Sequence, residues 1–300
     1  MRILVTGATG FIGRPLCERL LSGGRRVVAI TRTPGPRSVP WETRPLPHDA
    51  AGWAEAARGC DAVVNLAGSP IAVRWTEAAR REMRTSRIDL TRSLVEGLAR
   101  LPPGERPSVL VSSSAIGYYG TRRETSLGED ASPGDDFLAR ICADWEEAAR
   151  RAESAGIRTV LLRIGIVLEA DGGPLSKMLP PFKFGLGGPI AGGRQWMSWI
   201  HREDAIRMIE FALTDGGLHG PLNATAPDPK RNVDFGRALA HSLRRPFWFP
   251  IPAAMLHLGM GSAAVIVTTG QRVQPETALA RGFEFRYPTL EVALRSVLGR

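Results

Sequence analysis

Lysine, cysteine and tyrosine are scarce in this chain, with three residues of each among 300. The cysteines are Cys17, Cys60 and Cys142, an odd and widely spaced set that argues against a disulfide framework and predicts a reduced protein of the cytoplasm. No apolar run approaches the roughly 18 residues that a membrane span requires, so no membrane partner is predicted. The histidines show no metal-ligand spacing, and no metal is predicted.

The remaining composition is that of a folded protein. Hydrophobic residues make up 43% of the chain and charged residues 23%, which excludes intrinsic disorder as the main state. Lysine and arginine outnumber aspartate and glutamate by 39 to 30, for a net charge of +9. Because the arginines are spread through amphipathic segments rather than gathered in a tail, no nucleic-acid partner is predicted. The charge does suit an anionic ligand such as a phosphorylated cofactor.

Short apolar runs alternate with helical patterns through the first half of the chain, which indicates βαβ units and an α/β fold around a parallel sheet. Strands are predicted at 2–6, 27–31, 62–66, 109–113 and 159–167. Helices are predicted at 11–21, 77–101, 138–155, 202–214, 233–242 and 290–298. Residues 172–193 are rich in glycine and proline, which predicts loops over a ligand site.

Three glycines lie directly between the first predicted strand and the first helix. Gly7 permits a tight turn, Gly10 lets backbone N–H groups approach a pyrophosphate, and Gly13 lets helix and strand pack closely. The strand–turn–helix context makes this spacing typical of a dinucleotide site rather than of an ordinary glycine turn. The predicted cofactor loop comprises Gly7, Thr9, Gly10, Phe11, Ile12 and Gly13.

The end of the second predicted strand indicates which dinucleotide is bound. NAD-binding proteins usually place an acidic residue there for the ribose 2′-hydroxyl, whereas this chain has Thr31 and Arg32, with no acid until Glu42. A guanidinium forks onto a 2′-phosphate that a carboxylate would repel, so Arg32 predicts NADP(H). The alternative is that Arg32 is only a solvated charge at the end of a strand.

Two further segments follow predicted strands of the same sheet. The backbone of Leu66, Ala67 and Gly68 is expected to pass beside the cofactor. Ser114 closes a run of three serines at the end of the strand predicted at 109–113, which places hydroxyls at the carboxyl edge where ligands of α/β proteins bind. A serine run after a strand is otherwise ordinary turn chemistry.

Taken together, these segments resemble the extended short-chain dehydrogenase/reductase superfamily in its NAD(P)-dependent epimerase/dehydratase branch. The resemblance narrows to an atypical "epimerase family protein" subgroup that carries a small C-terminal domain of unknown function. The matching stretches are 7–13, 65–68, 74–76, 86–88, 113–120, 144–146, 163–168, 185–200 and 270–273. The resemblance implies a Rossmann-type doubly wound parallel sheet over residues 1–226. It also implies a smaller C-terminal substrate lobe, to which a domain at 245–297 contributes.

The resemblance also implies cofactor contacts at Thr31, Arg32, Leu66, Ala67, Glu82, Arg87 and Val167. Arg87, on a helix beside the sheet, could neutralise a cofactor phosphate, with Glu82 fixing its side chain or binding a ribose hydroxyl. The alternative is an ion pair on the helix surface. Many relatives have glutamate where this chain has Ser69, which puts a carboxylate role at that position in doubt.

The usual catalytic pair of the superfamily, Tyr-x-x-x-Lys, is missing. None of the three lysines has a tyrosine four positions before it, and Leu138 and Cys142 occupy the expected positions. Ser114 matches the superfamily's catalytic serine or threonine, and Tyr118 and Tyr119 are the candidate phenols for proton transfer. The alternative for both tyrosines is packing against the substrate lobe. Cys142 is expected to be a core residue more than a nucleophile.

Four polar residues are candidate substrate contacts. Arg163, Arg194 and Gln195 are expected to meet an anionic substrate in the lobe, and His201 either contacts substrate or caps the helix at 202–214. The predicted function is an NADP(H)-binding oxidoreductase or epimerase acting on a carbonyl or carbohydrate-like small molecule. The alternative is a non-catalytic NADP(H)-binding sensor or scaffold protein. The expected partner is a small-molecule substrate, and a homodimer is left open.

Overall fold

A computed structural model describes residues 1–32 and 39–299, and its centre is a seven-stranded parallel sheet. The strands are β1 Arg2–Thr6, β2 Arg26–Thr31, β3 Glu42–Pro45, β4 Ala62–Asn65, β5 Val109–Ala115, β6 Ser126–Leu127, β7 Arg158–Ile164, β8 Ile166–Leu168, β9 Trp196–Met197, β10 Trp199–His201, β11 Gly220–Ala224, β12 Lys230–Arg231 and β13 Arg272–Val273. The central sheet has the order β11-β7-β5-β4-β1-β2-β3. The chain therefore runs outward from β1 to β3 and then returns to the other side of β1, which makes the boundary between β1 and β4 a topological switch point.

Helices cover both faces of this sheet. They are α1 Gly13–Ser22, α2 Ala50–Ala57, α3 Glu77–Arg84, α4 Leu90–Arg100, α5 Phe137–Arg150, α6 Gly173–Lys183, α7 Arg202–Thr214, α8 Asn232–Leu243, α9 Ala253–Met260, α10 Val265–Thr268, α11 Glu276–Ala280 and α12 Leu290–Val297. Among the residues that the structure describes, no helix is long and apolar enough to cross a membrane.

The sheet is apolar on both faces because each face has its own core. Ile3 and Val5 of β1 point into one cluster with residues of α1 and α7, while Leu4 points into another with Trp53 of α2 and Leu94 of α4. Strands buried on both sides read as continuous hydrophobic runs, which is why the predicted strands lie close to the observed ones.

The helical stretch predicted at 77–101 is confirmed, but it is not a uniform α-helix. A π-helical turn, Thr85–Asp89, joins α3 to α4. Such turns insert an extra residue into the helical ladder and are frequent at functional sites. Here the turn carries Arg87 toward the carboxyl edge of the sheet, where the side chain donates to the Ser69 carbonyl.

The prediction of loops throughout 172–193 is wrong for its first part, because α6 occupies Gly173–Lys183. Proline at the first turn is compatible with a helix start, since the N–H that it lacks has no intrahelical partner there. Leu175, Leu179 and Phe182 recur at helical spacing and are buried in a third cluster with Trp199. The helical period of these three residues outweighed the glycine and proline content.

One predicted strand, at 159–167, is two strands in the structure. β7 ends at Ile164, β8 begins at Ile166, and Gly165 lies between them. A Cβ at Gly165 would lie 2.7 Å from the Ser198 carbonyl oxygen. Only glycine permits this close approach of the two backbones, which brings β10 alongside β8.

Candidate functional site

The glycine loop between β1 and α1 is built from backbone contacts that leave no room for side chains. Gly7 has a φ of +66°, and a Cβ there would lie 2.7 Å from the Leu66 carbonyl oxygen. A Cβ at Gly13 would lie 2.1 Å from the Gly7 carbonyl oxygen, and the Gly10 amide donates to that same oxygen at 2.9 Å. The loop therefore keeps the amino end of α1 bare, and no acidic residue lies in the first turn of that helix. Both features favour an anion.

The other residues of the predicted loop divide between surface and core. Thr9 and Gly10 are exposed, whereas Ile12, the residue before α1, is partly buried against the core. Phe11 is half-buried beneath the start of α6, where Cβ atoms at Gly172 and Gly173 would each lie less than 3 Å from its ring. The aromatic ring thus joins the loop to the second half of the chain.

A buried hydrogen-bond network fixes the segment after β4. Thr6 donates to the Asn65 side-chain oxygen at 2.7 Å, and the Asn65 side-chain amide donates to the hydroxyls of Thr91 and Ser112. The backbone amides of Leu66 and Ala67 both donate to the Thr6 hydroxyl. Leu66 and Ala67 are thereby held beside the glycine loop. The roles of Thr6 and Thr91 were missed, because isolated threonines carry no motif.

Thr31 and Arg32 close β2 at the same edge of the sheet. Thr31 is half-buried, and its hydroxyl has no hydrogen-bond partner among the described residues. Buried polar atoms are normally paired, so this hydroxyl is suited to a ligand. Arg32 is exposed and is followed by residues 33–38, which lie outside the described part of the chain.

Arg87 lies against Gly68 and Ser69, but Glu82 does not support it. The Arg87 guanidinium donates to the Ser69 carbonyl at 2.8 Å, and a Cβ at Gly68 would lie 3.1 Å from it. Burial lowers the pKa of Arg87 from its usual value. Glu82 is exposed and forms no ion pair with Arg87, so its predicted role in fixing that side chain is wrong, as is a surface ion pair between the two.

A buried charged pair stands behind the candidate catalytic serine. The Ser114 hydroxyl donates to Glu146 of α5 at 2.7 Å, and Arg163 of β7 holds both oxygens of that carboxylate at 2.8 and 2.9 Å. Arg163 is 1% exposed, and its third nitrogen donates to the Tyr119 hydroxyl and the Glu129 carbonyl. The prediction that Arg163 binds substrate is therefore wrong, because the side chain is buried and all three of its nitrogens bond to neighbouring protein groups.

The two adjacent tyrosines have different environments. Tyr119 is fully buried, donates to Asn223 at 2.6 Å and accepts from Arg163, and burial raises the pKa of its phenol to about 12. Tyr119 is thus a structural residue, and its prediction as a proton donor is wrong. Tyr118 is half-buried, forms no hydrogen bond through its hydroxyl to the described residues, and has the Arg163 guanidinium 3.5 Å from its ring centre.

The positions of the missing catalytic pair, Leu138 and Cys142, lie beside the segment that follows Ser114. A Cβ at Gly117, three residues after Ser114, would lie 3.6 Å from the Leu138 Cβ and 3.8 Å from the Cys142 sulfur. Burial raises the pKa of the Cys142 thiol to about 12, outweighing the nearby positive charge of Arg87. The thiol is therefore protonated at neutral pH and is a core residue rather than an activated nucleophile.

The remaining predicted contacts serve mainly to hold the lobe together. The Gln195 side-chain amide donates to the carbonyls of Ile190 and Val267, so the predicted substrate role of Gln195 is wrong in this arrangement. His201 caps α7 by accepting from the Glu203 amide, and burial lowers its pKa. Arg194 is exposed, and the Val167 side chain is buried in the core, leaving only its backbone for a cofactor.

Glu146, Glu129 and Asn223 are the important residues of this region that sequence reasoning did not select. Glu146 shares the inner face of α5 with Cys142, four residues earlier, and this spacing, together with the matching stretch at 144–146, could have revealed it. Glu129 accepts from the backbone amides of Asn223 and Thr277, which no local pattern shows.

The parallel sheet, its switch point and the glycine loop define a Rossmann-type α/β protein. The chain belongs to the NAD dependent epimerase/dehydratase family, whose profile matches residues 3–223. Residues 251–297 match a domain of unknown function, DUF1731. The predicted family and fold are confirmed.

Similar proteins come from distant organisms. The chain is 39% identical over 302 residues to the epimerase family protein SDR39U1 homolog, chloroplastic, of Arabidopsis thaliana, covering 99% of this chain and 87% of that protein. The human epimerase family protein SDR39U1 (isoform2), solved with NADPH, is 34% identical with a TM-score of 0.90 over all of both chains. A nucleoside-diphosphate sugar epimerase from Corynebacterium glutamicum is 29% identical with a TM-score of 0.81, covering all of this chain and 58% of that one.

Proposed function

We propose that this protein is an NADP(H)-binding oxidoreductase or epimerase that acts on a carbonyl or carbohydrate-like small molecule. The observation that carries the proposal is the glycine loop at the switch point, where a Cβ at Gly13 would collide with the Gly7 carbonyl at 2.1 Å. Such a loop keeps backbone amides bare for a pyrophosphate. The similar human structure, solved with NADPH, supports the choice of cofactor.

The residues at the edge of the sheet fit such a dinucleotide. Gly10 and the bare amino end of α1 would hold the pyrophosphate, and the Leu66 and Ala67 backbone would line its path. The unpartnered Thr31 hydroxyl and the exposed Arg32 would receive the 2′-phosphate. When bound, the cofactor supplies the donor or acceptor of a hydride.

Arg87 provides the positive charge that a lysine would bring in relatives with the usual pair. Its guanidinium comes from the π-helical turn rather than from α5, lies against Gly68, and interacts electrostatically with the Cys142 thiol. A buried guanidinium cannot act as a base, so its role is to attract the negative groups of the cofactor.

Ser114 and Tyr118 are the groups of this chain that would meet the reacting atoms. Because Glu146 accepts the Ser114 hydrogen, the hydroxyl oxygen would accept a hydrogen bond from a substrate hydroxyl in place of its neighbour, the Cys142 thiol. Tyr118 has the one candidate phenol whose hydroxyl has no hydrogen bond to the described residues, and the Arg163 guanidinium against its ring holds the side chain in place. Tyr118 would therefore give or take the proton.

The cofactor proposal is tested by measuring NADPH and NADH affinities for the wild type and for Arg32→Ala. We expect the wild type to bind NADPH at least about tenfold more tightly, and Arg32→Ala to lose most of this preference. Arg26→Ala removes an exposed arginine at the opposite end of β2 and should leave both affinities unchanged. Equal affinities of the wild type for the two nucleotides would contradict the proposal.

The second candidate is a non-catalytic NADP(H)-binding sensor or scaffold, which the protonated Cys142 thiol at the lysine position favours. A screen of carbonyl compounds that follows NADPH absorbance separates the two candidates. For an enzyme, Ser114→Ala and Tyr118→Phe should each lower turnover by about 10²-fold or more without weakening NADPH binding. Tight NADPH binding without turnover of any compound would favour the sensor.

A further inference from the structure

The C-terminal part of the chain exposes apolar side chains that the proposed function does not use. Residues 246–271 contain no lysine, arginine, aspartate or glutamate, yet only Ala263 and Ala264 of this segment are buried. No residue of α9 is buried. The large exposed apolar residues of this segment and of the segment after α6, which together form the apolar patch, are Phe184, Leu186, Trp248, Phe249, Met255 and Leu258.

Hydrogen bonds join the two segments that carry the apolar patch. The backbone amides of Trp248 and Phe249 both donate to the Gly187 carbonyl. The Trp248 indole N–H donates to the Gly185 carbonyl at 3.1 Å. The segment after α6 and the segment before α9 therefore form one surface, and α9 continues from it. Soluble proteins rarely leave so many large apolar side chains exposed together unless a partner covers them.

Three cations border the apolar patch. Lys183 directly precedes Phe184, and Arg244 and Arg245 directly precede Pro246. All three basic side chains are exposed, and none forms an ion pair with the residues that the structure describes. Their positive charge is therefore available to a partner.

The charge of this surface favours an anionic partner over a second copy of the chain. Neither 172–202 nor 235–275, which supply the apolar patch and its border, contains an aspartate or glutamate. Two copies that met through this face about a twofold axis would bring Lys183, Arg244 and Arg245 close to their own counterparts. Because like charges repel, such a dimer is disfavoured, whereas a negatively charged partner is attracted.

The apolar patch also offers few hydrogen-bonding groups to a partner protein. Interfaces between proteins carry about one hydrogen bond per 100–200 Å². Trp248 has the one polar side-chain group among the six residues of the patch, and its N–H already donates to the Gly185 carbonyl. A lipid bilayer needs no such bonds, because tryptophan, phenylalanine and leucine side chains enter its interface while anionic headgroups attract the neighbouring lysines and arginines.

We propose that the apolar patch, with Lys183, Arg244 and Arg245, docks on the surface of an anionic lipid bilayer. Among the described residues no helix is long and apolar enough to cross a membrane, so the contact is peripheral. The apolar side chains enter the headgroup region and the three cations meet the lipid phosphates. The expectation of no membrane partner rests on the missing span, which a peripheral contact does not need.

The test is cosedimentation of the full-length protein with lipid vesicles at low ionic strength. One arm uses phosphatidylcholine alone, and the other contains about 30% phosphatidylglycerol, to which we expect the wild type to bind about tenfold more tightly or better. Leu258→Ser and the double variant Lys183→Gln/Arg245→Gln should each weaken binding to the anionic vesicles by about fivefold or more. Leu279→Ser and Arg26→Gln are the matched controls, since each removes an exposed side chain outside this surface, and they should bind like the wild type.

Leu258 is 85% exposed, so its substitution leaves the core intact. A wild type that does not bind the anionic vesicles, or control variants that lose as much binding as Leu258→Ser, would overturn the proposal. Binding of polyglutamate without binding of vesicles would assign the surface to an acidic protein and would also overturn it. Light scattering without lipid should give the same mass for the wild type and Leu258→Ser. A dimer that Leu258→Ser dissociates would instead assign the apolar patch to a second copy of the chain.

Discussion

The glycine loop and the Ser114–Glu146–Arg163 chain lie at the same edge of the sheet, yet they are held by opposite means. The loop is shaped by missing side chains, with backbone atoms so close that a Cβ at Gly13 would lie 2.1 Å from a carbonyl. The Ser114 chain is shaped by side chains that bury a full charge pair, with Arg163 1% and Glu146 3% exposed.

This difference explains why the glycine loop can be predicted from the sequence and the Ser114–Glu146–Arg163 chain cannot. The loop depends on residues within seven positions, so its spacing alone predicts its shape. The charged chain joins residues from β5, α5 and β7 that are up to 49 positions apart, and only tertiary packing brings them together. Local motifs therefore reveal the glycine loop, whereas the charged chain behind Ser114 is seen only from three-dimensional contacts.

The largest expected effect comes from breaking the charged chain. Arg163→Met should lower the free energy of unfolding by about 3–5 kcal/mol, because it leaves the Glu146 carboxylate buried without its partner. Denaturant unfolding measures this loss. Arg84→Met, which breaks the exposed Arg84–Asp144 pair, is the control and should cost about 0–1 kcal/mol.

The double variant Arg163→Met/Glu146→Leu tests whether the loss of stability comes from leaving one buried charge unpaired. Removal of both charges should recover a large part of the stability lost in Arg163→Met, since no buried charge is left unpaired. If Arg163→Met and Arg84→Met lost similar amounts of unfolding free energy, the buried Arg163–Glu146 pair would stabilise the protein no more than an exposed ion pair does.

An intermediate effect is expected from the glycine loop. Gly13→Ala should cost about 1–3 kcal/mol of unfolding free energy and weaken NADPH binding, because the backbone must move away from the new methyl group. Gly104→Ala is the control, as a Cβ at Gly104 meets no atom within 4 Å. The two variants are compared by denaturant unfolding and nucleotide titration. Normal NADPH binding by Gly13→Ala would show that the loop tolerates side chains.

The smallest effect concerns pH and the Cys142 thiol. Burial raises its pKa from 9.0 to about 12, so the native state keeps a proton that the unfolded state loses near pH 9. The unfolded state then binds fewer protons, and the stability that this thiol contributes below pH 9 falls as the pH rises toward 12. Between pH 8 and 10 the wild type should lose about 1.4 kcal/mol more than Cys142→Ala.

Cys17, beneath the glycine loop, provides the comparison for this measurement. Burial likewise raises its pKa to about 12, so Cys17→Ala should reduce the pH dependence by a similar amount. Denaturant unfolding under reducing conditions at pH 8 and pH 10 measures both variants. A pH dependence in Cys142→Ala equal to that of the wild type would mean that Arg87 already ionises the Cys142 thiol in the native state.

The sequence predicts most of the fold because the strands are continuous apolar runs and the helices keep their period. The long helix at 77–101, the glycine loop and the position of Ser114 all follow from local patterns. The π-helical turn at Arg87 does not, because its extra residue leaves the apolar spacing almost unaltered.

The wrong predictions of site residues share a physical cause. In the folded protein, polar side chains that a ligand could use are already hydrogen-bonded to other protein groups. Arg163 looks like a substrate ligand until β7 places it against Glu146, and Gln195 looks like one until two carbonyls approach its amide. Tyr118 and Tyr119 look alike in the sequence, and only the burial of Tyr119 and its hydrogen bonds to Asn223 and Arg163 separate the structural residue from the candidate phenol.

The carboxylates of Glu129 and Asp204 connect the C-terminal residues to the rest of the protein, which bears on whether the chain can be cut into two folded parts. Glu129 accepts from the Thr277 amide, and Asp204 accepts from the amides of Arg286 and Tyr287. A chain ending at residue 250 would leave both carboxylates without these hydrogen-bond donors and would expose the apolar surface beneath Phe283. The last fifty residues therefore stabilise the nucleotide-binding part. We expect that splitting the protein between its two family matches yields an insoluble fragment rather than a smaller active protein.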